Sequence, residues 1–217
     1  MNLNKDRRCS FYRRETAGFN LLEITLVLLI ASLILTAIWG VASQLHLNDQ
    51  VRTTAQQLAA IDHNIRGIYV EQGGMINSAS TFTLTKSLDQ LNVFPVEMRA
   101  NSAVPTGTLY NVWSQQPPPG CGGAKGCGTV VVDNDDCTGV ESWIIPVPCF
   151  GVTYINVPLN ACVKLMAQTA QGDMGLQKII INAPNAGLTP PISVAQAQAS
   201  CNSPLNTILW VYLLKGG

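Results

Sequence analysis

The stretch Ile24 to Val41, ITLVLLIASLILTAIWGV, runs for eighteen residues without a charge, and it constrains the fold more than any other feature of the chain. As a helix rising about 1.5 Å per residue it spans roughly 27 Å, close to the roughly 30 Å hydrocarbon core of a bilayer. A chain of 217 residues has room beside such a segment for one compact domain of ordinary size, and not for two large ones. Apolar residues make up 47% of the chain and charged residues only 12%, against roughly 25% charged in soluble domains. That composition excludes a disordered chain, and a formal net charge of zero excludes a strongly basic nucleic-acid binder.

The charges are distributed unevenly. Residues 1–18 hold five basic and two acidic side chains, a net of +3, and the remainder holds eight basic and eleven acidic, a net of −3. A basic N-terminus directly before an apolar run reads as a targeting segment kept on the cytoplasmic side of a membrane. Three readings compete for it: an ordinary anchor, an ordinary signal peptide cut before Gln44 with Val41 and Ser43 as its small residues, and a segment with a dedicated assembly role. Glu23 separates them. A carboxylate costs on the order of 2.5 to 3.5 kcal/mol at a bilayer centre, and less at its edge, so its presence implies a partner. The competing account is a first-turn acid favoured by the dipole of its own helix.

The residues Ala17-Gly18-Phe19-Asn20-Leu21-Leu22-Glu23, followed by the apolar run, resemble the prepilin cleavage site of type IV pilins. The resemblance implies a cut by a prepilin peptidase between Gly18 and Phe19, N-methylation of Phe19, and a role for Glu23 as the glutamate fifth after the cut. It divides the chain into a removed leader, 1–18, a long helix, 19–72, whose first half crosses the membrane and later forms the filament core, and a globular head, 73–217. The physical sense is electrostatic: cleavage leaves a positive amine on Phe19, and a neighbouring subunit's Glu23 gives it a partner in a low-dielectric bundle. A leader of eighteen residues lies among the longer leaders of the type IVb subclass, whereas Phe as first mature residue is common in type IVa.

The helical pattern continues beyond the apolar run. Val51, Ala55, Leu58, Ile61, Ile65 and Ile68 recur at spacings of 4, 3, 3, 4 and 3, one stripe of a helix that packs on a sheet, with Gly73-Gly74 as its stop. Phe19 to about Gln72 is therefore expected as one helix of about 54 residues, roughly 80 Å long. Residues 75–120 form a mixed region with a short helix expected from Lys86 to Asn92, ended before Pro95, and a turn-forming close at Gln115-Gln116-Pro117-Pro118-Pro119-Gly120. Strands are expected at Gly128 to Val132, Glu141 to Val147, Thr153 to Val157, Gln177 to Asn182 and Asn206 to Leu214, giving an antiparallel sheet. Helices are expected from about Leu159 to Gln171, led by Pro158, and from Ser193 to Ser200. The fold class is α+β, a type IV pilin fold by resemblance.

Seven cysteines stand at 9, 121, 127, 137, 149, 162 and 201. Without the leader the count is six, which suits an exported domain with up to three disulfides and leaves 15 complete connectivities open. A proline-led helix bearing a cysteine, then an alanine-rich helix ending in one, is similar to the type IVb subclass. The resemblance pairs Cys162 with Cys201 and leaves Cys121, Cys127, Cys137 and Cys149 to two further bonds of unassigned pairing. Closing that loop stabilises the fold by roughly 3 to 4 kcal/mol on a chain-entropy account.

Other chemistries are weak. Gly120 to Gly128 contains a lysine, yet it is neither preceded by glycine nor followed by Ser or Thr, as a phosphate loop needs. The cysteine spacing lacks the CxxC pairs of a zinc site, and Asp133-Asn134-Asp135-Asp136 lacks the offsets of a calcium loop and reads as a solvated turn. His46 and His63 lie on the long helix without ligand partners at suitable spacing, so solvated or capping roles are expected. No nucleophile has a recognisable base. The expectation is a non-enzymatic structural subunit without cofactor or metal. By resemblance its partners are other copies of itself, the prepilin peptidase, the inner-membrane assembly platform with its ATPase, and a host or recipient cell-surface receptor. The alternatives are a minor pilin or pseudopilin, and a secreted disulfide-rich binding protein.

Overall fold

In the computed structural model, residues 20–69, 81–99, 107–114, 128–133, 149–170, 175–182 and 187–214 are described. Helix α1, Leu21–Tyr69, is 49 residues long. Its residues up to Leu45 belong to one unit of the chain, and those from His46 onward to a second unit that extends to Gly217.

In the second unit the expected stripe of α1 turns inward. Val51, Leu58, Ile61 and Ile65 are buried, and Ala55 and Ile68 are partly buried against the same core. The sheet beneath has five antiparallel strands: β1 Val130–Asp133, β2 Cys149–Pro158, β3 Leu176–Ile181, β4 Gly187–Leu188 and β5 Leu205–Leu213. Their spatial order is β1-β2-β5-β3-β4. Because side chains alternate faces with period 2, Ile208, Trp210 and Tyr212 of β5 enter the main core with α1, while Leu209 and Val211 form a smaller cluster with Cys149 and Ile180. Strand β2 keeps that alternation through Phe150, Val152 and Tyr154, then needs Val157 on the same face at an odd spacing. A bulge supplies the extra residue. Tyr154 faces Ile208 and Val157 faces Asn206 across the register, with Asn156 at φ 64 between them.

Helix α2 runs Thr81–Gln90, starting five residues before the expected Lys86. Its end is earlier than Asn92 for a local reason. Asn92 takes φ 57, Val93 N–H bonds the carbonyl of Leu88 and Asn92 N–H that of Asp89, the paired bonds of a left-handed helix stop. The Thr85 hydroxyl donates to the Val132 carbonyl at 2.9 Å and accepts from its N–H at 3.1 Å, so one side chain stands in for a strand partner along the outer edge of β1. Further along that edge, Thr129 N–H bonds the Leu109 carbonyl at 2.7 Å. This approach needs Gly128: a Cβ there would fall 2.6 Å from the Leu109 nitrogen and closer still to its carbonyl oxygen. Gly128→Ala is expected to destabilise the head by about 1 to 3 kcal/mol, the range for overpacking. A denaturant midpoint equal to that of the parent chain would refute the close-approach account.

Helix α3, Leu159–Thr169, follows Pro158 at its N-cap, and α4, Val194–Ser200, opens on a reciprocal capping box between Ser193 and Gln196. Strand β2 begins four residues before the expected Thr153, since Gly151 interrupts an apolar alternation that the sheet accepts. The two-residue β4 was not expected. The expected helix stop at Gly73-Gly74, the strand Glu141 to Val147, the Pro-rich turn and most of the acidic turn at 133–136 lie outside the described residues.

Candidate functional site

The first turn of α1 begins at Asn20, whose carbonyl accepts the N–H of Glu23 at 2.8 Å and that of Ile24 at 3.2 Å. Glu23 is the acid of that turn and is exposed, where the partial positive charge of the helix end favours it. Gly18 and Phe19 lie outside the described residues.

From Leu21 to Leu45 every residue is exposed, with Leu21 at 78% and Trp39 at 79%. The segment is long and apolar enough to cross a membrane, by length and composition. Its few hydroxyls are satisfied within the helix: Thr25 donates to the Leu22 carbonyl, Ser32 to Leu29, Thr36 to Ser32 and Ser43 to Gly40, all at 2.8 to 2.9 Å. No hydroxyl is left to penalise transfer into hydrocarbon or against another apolar helix. Glu23 is the one ionisable group of this stretch, residues 21–45.

In the head, Cys162 on α3 is bonded to Cys201, the C-cap of α4, across 39 residues of sequence and a Cα separation of 6.0 Å. The bond encloses β3, β4 and α4. Around its far end, Asn206 gathers the chain: its amide donates to the Ser203 carbonyl at 2.7 Å and its side-chain oxygen accepts from the Asn182 amide at 2.7 Å. Cys149, at the start of β2, is also disulfide-bonded, to a partner outside the described residues. Cys121, Cys127 and Cys137 lie outside them as well.

Two further polar knots escaped the sequence reading. Arg99 pairs with Asp89 at 2.9 Å, with side chains only 7% and 1% exposed, and Gly107 N–H bonds the other Asp89 oxygen at 3.0 Å. Asn111 accepts the N–H groups of Trp113 and Ser114 and donates to the Ile155 carbonyl at 2.7 Å. The Asp89–Arg99 pair and the Asn111–Ile155 bond follow no local spacing rule that sequence could expose, whereas the bonds from Trp113 and Ser114 to Asn111 are the short-range pattern of an Asx turn. Beneath α3, Trp210 donates to the Thr169 hydroxyl at 3.0 Å and meets Tyr154 edge-on at 5.5 Å. Burial pushes the Tyr154 phenol well above the usual tyrosine range, so it stays neutral. His46 and His63 are exposed, and among the described residues no three His, Cys, Asp or Glu side chains gather closely enough to hold a metal ion.

An exposed apolar helix that begins beside one carboxylate, joined to a disulfide-bonded α+β head, defines a structural subunit of the type IV pilin class. The family model described as PilS N terminal matches residues 48–213, most of the chain, and the chain belongs to this family of type IVb pilins. No curated protein sequence matches it. Similar solved structures include a type IVb pilin from Salmonella typhi, with 20% identity over 73% of this chain and 98% of that one at a TM-score of 0.48. TcpA, a type IV pilin from Vibrio cholerae El Tor, matches at 13% identity, 75% and 98% coverage and a TM-score of 0.47. The solution structure of the Salmonella typhi PilS pilin matches at 20% identity, 75% and 95% coverage and a TM-score of 0.46.

Proposed function

We propose that the chain is a prepilin held in the bacterial inner membrane, cut after Gly18, methylated on Phe19 and polymerised through its N-terminal helix into an extracellular pilus. The observation that carries this reading is the apolar helical segment 21–45, exposed at every residue with its hydroxyls bonded internally and Glu23 in its first turn. Such a helix is equally suited to lipid before assembly and to other copies of itself afterwards. In the filament, Glu23 of one subunit neutralises the amine of the next and sets their axial register, while the disulfide-bonded heads form the outer surface. The prepilin peptidase, the assembly platform and its ATPase act on it from outside the chain. Adhesion, aggregation and conjugative contact are the uses open to the filament, with a host or recipient surface receptor as partner.

The test is intact mass with N-terminal sequencing of sheared surface material. Methylated Phe19 as first residue is the expected result. A start at Gln44 would replace the filament with a secreted domain, and a correctly processed subunit present only in traces would make it a minor pilin or pseudopilin.

A further inference from the structure

The sheet of the head has two faces, and the helices account for one. The buried apolar residues of α1, α2, α3 and α4 all join the main core, together with Phe150, Val152 and Tyr154 of β2 and Ile208, Trp210 and Tyr212 of β5. The opposite face carries Cys149, Ile180, Leu209 and Val211, a cluster that among the described residues contains strand residues alone. An antiparallel sheet with an uncovered face leaves that face to water, yet these four residues are only 3%, 8%, 8% and 1% exposed. A further layer therefore lies on them. Residues 134–148 leave the end of β1 and return at Cys149, itself a member of the cluster, and they hold Trp143, Ile144, Ile145 and Val147. Residues 70–80 join α1 to α2, whose apolar residues pack on the other face. The stretch 115–127 has no Val, Ile, Leu, Met or aromatic residue at all.

The disulfide at Cys149 fastens one end of that segment, and chain reach selects its partner. Asp133 of β1 stands opposite Gly151 of β2, which puts it about 8 Å from Cys149, and Cys137 follows only four residues later. Cys127 hangs from the other end of β1. There the Thr129 carbonyl accepts the Ile155 N–H at 2.8 Å, and Ile155 is six residues from Cys149, about 20 Å along the strand. The two residues from Thr129 to Cys127 span at most about 7 Å. The Cys127 and Cys149 Cα atoms therefore stay about 13 Å apart or more, against at most about 7 Å in a disulfide. Cys121 is tied to the same end as Cys127, since the Thr129 hydroxyl donates to the Ser114 carbonyl at 3.1 Å. To meet Cys149 it would have to draw both of its flanking arms along β2. We infer that Cys137 bonds Cys149, that Cys121 bonds Cys127 across Gly122-Gly123-Ala124-Lys125-Gly126, and that residues 138–148 lie on the outer face of the sheet over Leu209 and Val211. Each bond then joins cysteines adjacent in sequence, where loop closure costs least. Each forms as two thiols pass two electrons and two protons to the disulfide of an oxidised dithiol protein outside the cytoplasm. The inference does not rest on filament formation.

Peptide mapping of the full chain in neutral-detergent micelles, without reduction, reads the bonds. Cleavage at Lys125, at Asp133, Asp135 and Asp136, and at Glu141 puts Cys121, Cys127, Cys137 and Cys149 on four separate fragments. The expected result is the Cys137 fragment joined to the Cys149 fragment, and the Cys121 fragment joined to that of Cys127. Any other partner for Cys149, or a free Cys137 thiol, would overturn the pairing. The cover is read separately. A benzophenone side chain is placed in turn at Ile144 and at Ile145, because alternation turns one of two neighbours toward the sheet. Irradiation should join one of them to a peptide of β3 or β5. Absence of that product from both positions would assign the outer face to another partner and overturn the cover.

Discussion

Glu23→Ala is expected to give subunits that are cut after Gly18 as before and assemble poorly into filaments. The expectation rests on comparing magnitudes. Glu23 sits exposed in the first turn of α1, and its side chain has no partner among the described residues. The dipole of its own helix offsets about 0.3 to 1 kcal/mol, whereas a carboxylate in apolar surroundings costs on the order of 2.5 to 3.5 kcal/mol at the extreme. The shortfall is what a neighbouring N-terminal amine would cover. On the proposed assembly, removing the carboxylate would leave that amine unpaired inside the bundle, and breaking one side of a buried pair is strongly destabilising. Electron microscopy of sheared material should then find filaments reduced by about tenfold or more, the factor for each 1.4 kcal/mol lost, while the mature mass still begins at Phe19. Glu23→Gln, which keeps the shape and loses the charge, should behave the same way. Normal filaments from either variant would remove the charge-pairing mechanism. A bulky residue at Gly18 should act one step earlier and leave uncut precursor in the membrane.

The second large effect concerns the Cys162–Cys201 bond. The double variant Cys162→Ala, Cys201→Ala should lose roughly 3 to 4 kcal/mol of head stability through the loop it releases. Domains of this kind hold about 5 to 15 kcal/mol in all, so the loss is a sizeable fraction of the whole. Both cysteines are buried, at 0% and 2% exposure, and the enclosed segment contains one central strand, β3, which hydrogen-bonds to β5. Urea unfolding should show the midpoint fall, and amide exchange between residues 175 and 200 should accelerate more than in β2. The substitutions are preferable to reductant, because reductant would also open the bond at Cys149. An unchanged midpoint would mean that the packing of α3 and α4 alone holds this region.

Local signals were reliable where local physics dominates. The stripe from Val51 to Ile68, the proline before α3 and the strand residues of β5 are short-range patterns, and each element forms where its pattern lies, to within a residue or two. The misplacements have tertiary causes. Helix α2 reaches back to Thr81 although its first turn lacks an acidic residue, because Leu84 and Leu88 are buried against the head core. Strand β2 extends back to Cys149 because β5 pairs with it that far, while β1 pairs with it as far as Gly151.

The apolar helix, the acid that begins it, the α+β class and the cysteines available for bonding were legible along the chain, since hydropathy, helical period and residue chemistry are properties of neighbours in sequence. The strand order β1-β2-β5-β3-β4, the buried Asp89–Arg99 pair, the bond from Asn111 to Ile155 and those of Asn206 with Asn182 and Val157 follow only from the packed fold. The side-chain bonds among them join residues from 10 to 49 positions apart. Their partners are chosen by which surfaces the packed core brings together, and that choice leaves no periodic trace along the chain.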